Sequence, residues 1–209
     1  MSELKLIDKE KFKADCEAFK CKFDIDINQR SYYISYLEFL EHFSRIAKFE
    51  KHDVIIGIHL IYGWMPTICH LKSDKFDKAA DILNKVKNGK QQLLEENDLN
   101  TLKNVFNNSI VGTSKLLHFI SPETYPIWDG NVCYYLTNSK SKANDVSAYL
   151  DYAKACREVI GQCKTDIAKV KKAMKEFYKG QDEISDMRAV ELVMFTNGQI
   201  RKELSKGNL

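Results

Sequence analysis

Apolar residues in this chain recur every three or four positions over most of its length, and that spacing suits little except α-helix. Tyr33, Tyr36, Leu37, Leu40, Phe43 and Ala47 fall on one face of a helical wheel. Phe76, Ala79, Ala80, Leu83 and Val86 repeat the pattern, and Asn88-Gly89 supplies a stop. Leu99, Leu102, Val105 and Phe106 form a further stripe. Val146, Leu150 and Ala153 form another, as do Ile167, Val170, Met174 and Phe177. Met187, Val190, Val193 and Met194 lie in a segment apolar enough to be buried on much of its surface. With 9 Gly and 3 Pro in 209 residues, the chain lacks the turn residues that a β-sandwich or barrel needs every ten positions or about that. The pattern predicts an all-α protein of roughly eight to ten helices.

Two segments are less clear. From Ile55 to Tyr62 the apolar residues are nearly continuous, which fits a buried helix or a strand. A helix closed by Gly63 is the favoured reading, with Pro66 opening the next one at its first turn. The stretch from Phe23 to Ile27 is the one place where a hairpin of strands suggests itself.

The run from Val54 to Leu71 is the nearest approach to a membrane span, but it contains His59, Gly63 and Pro66. No secretory signal is visible, so a cytoplasmic protein without a membrane partner is expected. The six cysteines, at 16, 21, 69, 133, 156 and 163, form no C-x-x-C pair. They read as reduced, mostly buried thiols. Cys69-His70 has no partner at ligand spacing, so no metal is expected.

Net charge is +3, too mild to name a partner. Its distribution is uneven: residues 100–180 carry 12 basic and 7 acidic side chains. The excess gathers at Lys164, Lys169, Lys171, Lys172, Lys175 and Lys179. Such a cluster is either the solvated face of a helix or a surface that meets a polyanion.

Residues 105–136 are the most informative segment. A helix ends near Phe106, a short turn contains Gly112, and a second helix starts there with Leu116, Leu117, Phe119 and Ile120 turned inward. A loop with Pro122 and Pro126 follows, and Asp129 opens a third helix. The N-terminus of the second helix leaves backbone N–H groups unpaired and, with the helix dipole, can hold a phosphate.

The string Tyr125-Pro126-Ile127-Trp128-Asp129-Gly130-Asn131-Val132 resembles the stretch of helix-hairpin-helix DNA glycosylases (the HhH-GPD superfamily) in which the catalytic aspartate begins a helix. It is most similar to the adenine glycosylase motif, aromatic-Pro-Ile-Leu-Asp-Gly-Asn-Val. Val111-Gly112-Thr113-Ser114-Lys115 resembles the second half of the hairpin, as in the 8-oxoguanine and endonuclease III branches. Together the motifs span about 25 residues.

The resemblance implies a two-lobed helical fold, with residues 32–135 as the lobe carrying the hairpin and Asp129. Residues 1–31 plus 136–209 would make the other lobe. It implies duplex DNA as partner, held by Val111, Gly112, Thr113, Ser114 and Lys115. Asp129 would stabilise the oxocarbenium-like sugar as an N-glycosidic bond breaks and help activate the nucleophile. The same carboxylate also suits an N-cap, bonded to the N–H of Asn131 or Val132, and the two roles are compatible.

Several positions depart from the family pattern. The lyase lysine position holds Ser114, as in monofunctional adenine glycosylases, and Lys115 lies one residue later. One step on a helix turns the side chain by about 100°, so Lys115 reads first as a solvated or phosphate-facing lysine and second as a lyase candidate. Ile110 stands at the first hairpin glycine and Asn108-Ser109 at the usual Leu-Pro. A β-branched residue resists positive φ, which alters how the turn presents its amides.

Cys156 and Cys163 match the first interval of the family's iron–sulfur site, but Asp166 and Lys172 occupy the other two ligand positions. No metal cluster and no cofactor are expected, as in the 8-oxoguanine branch. Trp128 and His118 are candidates for a base pocket, since enzymes that act on duplex bases extrude them against aromatic faces. A tryptophan packed between helices and a hydrogen-bonded core histidine are the plainer alternatives. A monomer is expected, with a catalytically inactive DNA- or protein-binding module of the same fold as the alternative function.

Overall fold

The computed structural model describes residues 7–22, 30–65, 67–71, 74–89, 92–178 and 184–205, with the backbone alone at 20–22 and 30–31. Among these residues the apolar stripes wind into ten α-helices, and no strand occurs. The protein is all-α. Among the described residues no helix is long and apolar enough to cross a membrane. The Phe23–Ile27 hairpin and Pro66 lie outside the described residues.

The chain divides into two units, Ile25–Tyr125 and Met1–Asp24 with Pro126–Leu209. The sequence reading set the boundary at 135/136; here it falls at 125/126, so Asp129 and the helix after it share a unit with the C-terminal helices.

The first unit holds α2 (Arg30–Arg45), α3 (Lys51–Trp64), α4 (Phe76–Asn88), α5 (Glu96–Val105) and α6 (Ile110–Ile120). The ambiguous Ile55–Tyr62 run is helical and lies within α3, burying Ile58, Ile61 and Tyr62. Gly63 does not close that helix, which continues to Trp64, and Thr67 to Leu71 are irregular, so no helix opens at the following turn. The stop at Asn88-Gly89 does end α4. Asn84 of α4 holds the turn between α2 and α3: it accepts from Phe49 N at 2.8 Å and donates to Phe49 O at 2.9 Å. α6 packs against α2, α3, α4 and α5. Gly57 of α3 admits this arrangement, because a methyl group there would lie 3.2 Å from the Phe43 ring and 3.3 Å from Leu116.

The second unit holds α1 (Lys9–Lys22), α7 (Gly130–Thr137), α8 (Val146–Gln162), α9 (Lys164–Phe177) and α10 (Asp186–Ser205). α10 packs against α1, α7, α8 and α9, and Met187 to Met194 are buried along it. That segment includes Arg188 and Glu191, an ion pair inside the core. Arg188 N also bonds to Ser185 Oγ at 3.0 Å. Asp15 joins α1 to α7 and α10, accepting from Tyr135 Oη and from Arg201 Nη2, each at 2.9 Å. The Arg201 guanidinium lies 4.4 Å from the centre of the Tyr135 ring, a cation–π contact that adds to the pair.

Candidate functional site

Asp129 is the N-cap of α7. Its backbone is extended, and Oδ1 accepts from Asn131 N at 2.8 Å and Val132 N at 2.9 Å. Both bonds fall on one carboxylate oxygen, so Oδ2 stands outside the cap. The side chain is half-buried. It therefore lies neither in a dry core nor on an open surface.

The residues before it are pinned from three sides. Tyr149 Oη donates to Pro126 O at 3.4 Å and Tyr152 Oη to Ile127 O at 3.2 Å. Burial is the first cause that holds the Tyr152 phenol far above its usual range, with the neighbouring Cys156 and Glu191 adding to it. This hydroxyl stays protonated and available as a donor. Trp128 is 0% exposed; its indole N–H donates to Ala143 O at 2.9 Å and its ring lies 5.0 Å from that of Tyr152. The base-stacking role considered for Trp128 is thus corrected: the ring is closed off by packing, and its one polar atom is occupied.

That indole bond holds a turn beside the aspartate. Within the turn, Ala143 N donates to Lys140 O at 3.0 Å. Lys140 itself is exposed, and its side chain runs over Gly130: a methyl group at position 130 would lie 3.3 Å from its Cδ and Cε and 3.4 Å from its Nζ. The residue after the candidate carboxylate thus leaves room for a cation. Sequence reasoning missed Lys140 because nothing local marks it. It lies beyond the C-terminus of α7, and only the return of the chain brings it to the helix's first residue.

The hairpin differs from expectation in its register. Gly112 lies inside α6, not in the turn. The turn is carried by Asn107 and Asn108, both at positive φ (54° and 56°). Asparagine tolerates that region far better than Ile110 would, so the left-handed residues move upstream and Ile110 becomes helical. Tyr62 Oη donates to Phe106 O at 2.7 Å, securing the turn. Ser109 caps α6, its Oγ accepting from Gly112 N at 3.1 Å, while Thr113 N bonds to Ser109 O at 3.1 Å. The Gly112 amide proposed for a phosphate is already engaged.

Thr113, Ser114 and Lys115 are buried, Lys115 at 3% exposure. The reading of Lys115 as a solvated lysine is corrected, for α6 is enclosed by four neighbouring helices. Both hydroxyls turn back on the helix, Thr113 Oγ1 to Ser109 O at 2.8 Å and Ser114 Oγ to Val111 O at 2.9 Å. Val111 is half-buried, and Asn108 is exposed at the tip.

His118 is 0% exposed. Its Nδ1 lies 2.7 Å from Tyr125 O and its Nε2 2.8 Å from Tyr36 Oη. A carbonyl only accepts, so Nδ1 carries the proton and, in the neutral ring, Nε2 accepts from the phenol. Both nitrogens are occupied in the core, which removes His118 from a base pocket.

No family model, curated protein or solved structure matches the chain.

Trp64 stacks on Tyr32 with ring centres 3.8 Å apart and donates to Tyr32 O at 3.1 Å. Cys16, Cys69, Cys133, Cys156 and Cys163 are free thiols. Burial pushes the Cys16 thiol up to about 12 and raises Cys156 further. No group of three or more metal-binding side chains occurs among the described residues. What the site offers is one carboxylate with an oxygen outside the cap at a helix start, and one exposed lysine running over the next residue, Gly130.

Proposed function

We propose that this chain is a DNA-binding protein with the two-lobed fold of the helix-hairpin-helix glycosylases, and that it hydrolyses the N-glycosidic bond of a damaged or mispaired base at Asp129. The observation that carries this reading is the division of labour within that carboxylate, with Oδ1 capping α7 and Oδ2 left clear of it. Capping fixes the side chain before any substrate arrives, so little reorganisation accompanies the reaction. As the bond from C1′ to the base breaks, the sugar gains oxocarbenium character and Oδ2 stabilises it. A water then adds its hydroxide to C1′, and its proton goes to the departing base.

Base release without strand cleavage is the chemistry this reading assigns. Ser114 stands at the lyase position, and Lys115 is enclosed within α6. The test is a panel of lesion-bearing and mispaired duplexes incubated with wild type and Asp129→Asn. Base release that disappears in the variant supports the reading. Intact duplexes with both proteins would remove the enzyme from it. Borohydride trapping on abasic-site DNA checks the lyase assignment, for which no covalent adduct is expected.

One observation favours the alternative, a DNA- or protein-binding module without chemistry. The Gly112 amide bonds to Ser109, and Thr113 to Lys115 are covered, so the hairpin lacks part of its usual grip. Salt-dependent duplex binding that survives Asp129→Asn, with no base released from any substrate, is the result that module would give.

A further inference from the structure

The lysines of α9 are sorted by the structure into two kinds. Lys169 pairs with Glu17 and Asp166, and Lys171 pairs with Asp186 at 2.9 Å. Lys164, Lys172 and Lys175 are exposed and make no ion pair among the described residues. At about 100° per residue, these three and the exposed Ala168 fall within a sector of about 80°. The apolar face of Ile167, Val170 and Met174 lies well away from it. Asp166 and Glu176, the acidic residues of α9, fall outside the sector. Lys164 and Lys175 are separated by roughly 16 Å of helix rise. The result is a ridge of three lysines that pair with no carboxylate among the described residues, Glu176 lying about 40° beyond its edge, in the segment that holds the chain's positive excess.

We infer that this ridge is a docking surface for the phosphate backbone of duplex DNA. A DNA duplex carries one negative charge for about every 1.7 Å of its axis, so a ridge of this length faces several phosphates. Lysines on flexible stems meet phosphates as point charges and need no sequence-specific geometry. The small side chain of Ala168 leaves the middle of the ridge low, allowing the flanking ammonium groups to close on a strand. The inference rests on the proposed function for its choice of polyanion. It is independent of Asp129, and the ridge contributes affinity without base specificity.

The experiment measures binding of the full chain to a short labelled duplex of mixed sequence by fluorescence anisotropy, between about 50 and 200 mM salt. Replacing Lys164, Lys172 and Lys175 together by Gln is expected to weaken binding more than about tenfold at about 100 mM salt. The slope of log K against log salt should fall by about 2.7, or about 0.9 for each lysine. Lys172→Gln alone should lower it by about 0.9, with an unchanged circular dichroism spectrum. Replacing the exposed Lys48, Lys51 and Lys78 of the other unit by Gln is expected to leave the slope as it is.

A wild type that binds DNA with a slope the ridge variants do not change overturns this inference alone. An equal loss in the control variant also overturns it, since any three positive charges would then serve. Failure of wild type to bind the duplex at low salt overturns both this inference and the DNA reading beneath it. Vesicles containing phosphatidylserine make a further arm: ridge variants that lose vesicle binding but keep their DNA slope would reassign the ridge to a lipid surface.

Discussion

Gly198 of α10 lies so close to Asn131 of α7 that a methyl group at position 198 would come within 2.1 Å of the Asn131 carbonyl oxygen and 2.8 Å of its carbon. Backbone at that distance cannot yield unless one helix moves. Asn131 also donates its own N–H to Asp129 Oδ1, so the crossing of α7 and α10 governs where the carboxylate stands. Gly198→Ala is expected to cost about 3 kcal/mol, the upper range for overpacking a core. Gly161 of α8 meets nothing within 4 Å of an added methyl group. Gly161→Ala should accordingly stabilise by up to about 1 kcal/mol. Denaturant melts of the two variants, moving in opposite directions, check the close approach.

The cap and the proposed chemistry of Asp129 separate on substitution. Asparagine keeps an oxygen that can accept from Asn131 and Val132, whereas alanine removes it. Asp129→Asn should stay within about 0.5 kcal/mol of wild type, and Asp129→Ala should lose about 1 kcal/mol. Base release should be lost in both. An asparagine variant that keeps full activity would leave Asp129 as a cap and nothing more.

Lys140 reaches Gly130 from an exposed position, so its removal should barely touch stability. Lys140→Ala is expected to change folding by less than about 0.5 kcal/mol. If its ammonium meets a phosphate beside Asp129, the salt slope for duplex binding falls by about 0.9. Trp128→Phe, which removes the indole bond to Ala143, should destabilise by about 1 kcal/mol. Comparison of the two variants distinguishes a group that binds from one that holds the turn.

The buried thiol of Cys16 makes stability depend on alkaline pH. Burial raises it from 9.0 to about 12 in the folded chain. A group whose folded value is raised contributes stability that is complete below its unfolded value and disappears as pH climbs through the folded one. Between about pH 9 and 12 the unfolded thiol has lost its proton and the folded one keeps it. Stability therefore falls by up to about 1.4 kcal/mol per pH unit from this group. Cys16→Ala should make the alkaline limb of a pH–stability curve shallower, and an unchanged limb would show that the thiol is not held protonated.

Much of the architecture could be read from residue order because its causes are local. A three- to four-residue apolar period makes a helix wherever it occurs, and α4 stops at Asn88-Gly89 as its sequence predicts. Asp129 at the start of α7 was legible for the same reason, since a cap acts over three residues. The turn before α6 was less so. Its positive φ values belong to Asn107 and Asn108, of which the resemblance gives only Asn108 a place, at the usual Leu-Pro, while Gly112 drew attention that a helical position does not reward.

By itself, the order of residues determined the helical class, the stop of α4 and the carboxylate that opens α7, all properties that neighbours in the chain impose on one another. Tertiary structure alone decided that His118 and Trp128 are closed in the core, that Lys115 is covered, and that Lys140 comes back to Gly130. Those outcomes depend on which helices surround α6 and on the return of the chain past α7. A lysine or histidine has the same local pattern whether its partners arrive from solvent or from residues far along the chain, and only the packed fold distinguishes the two.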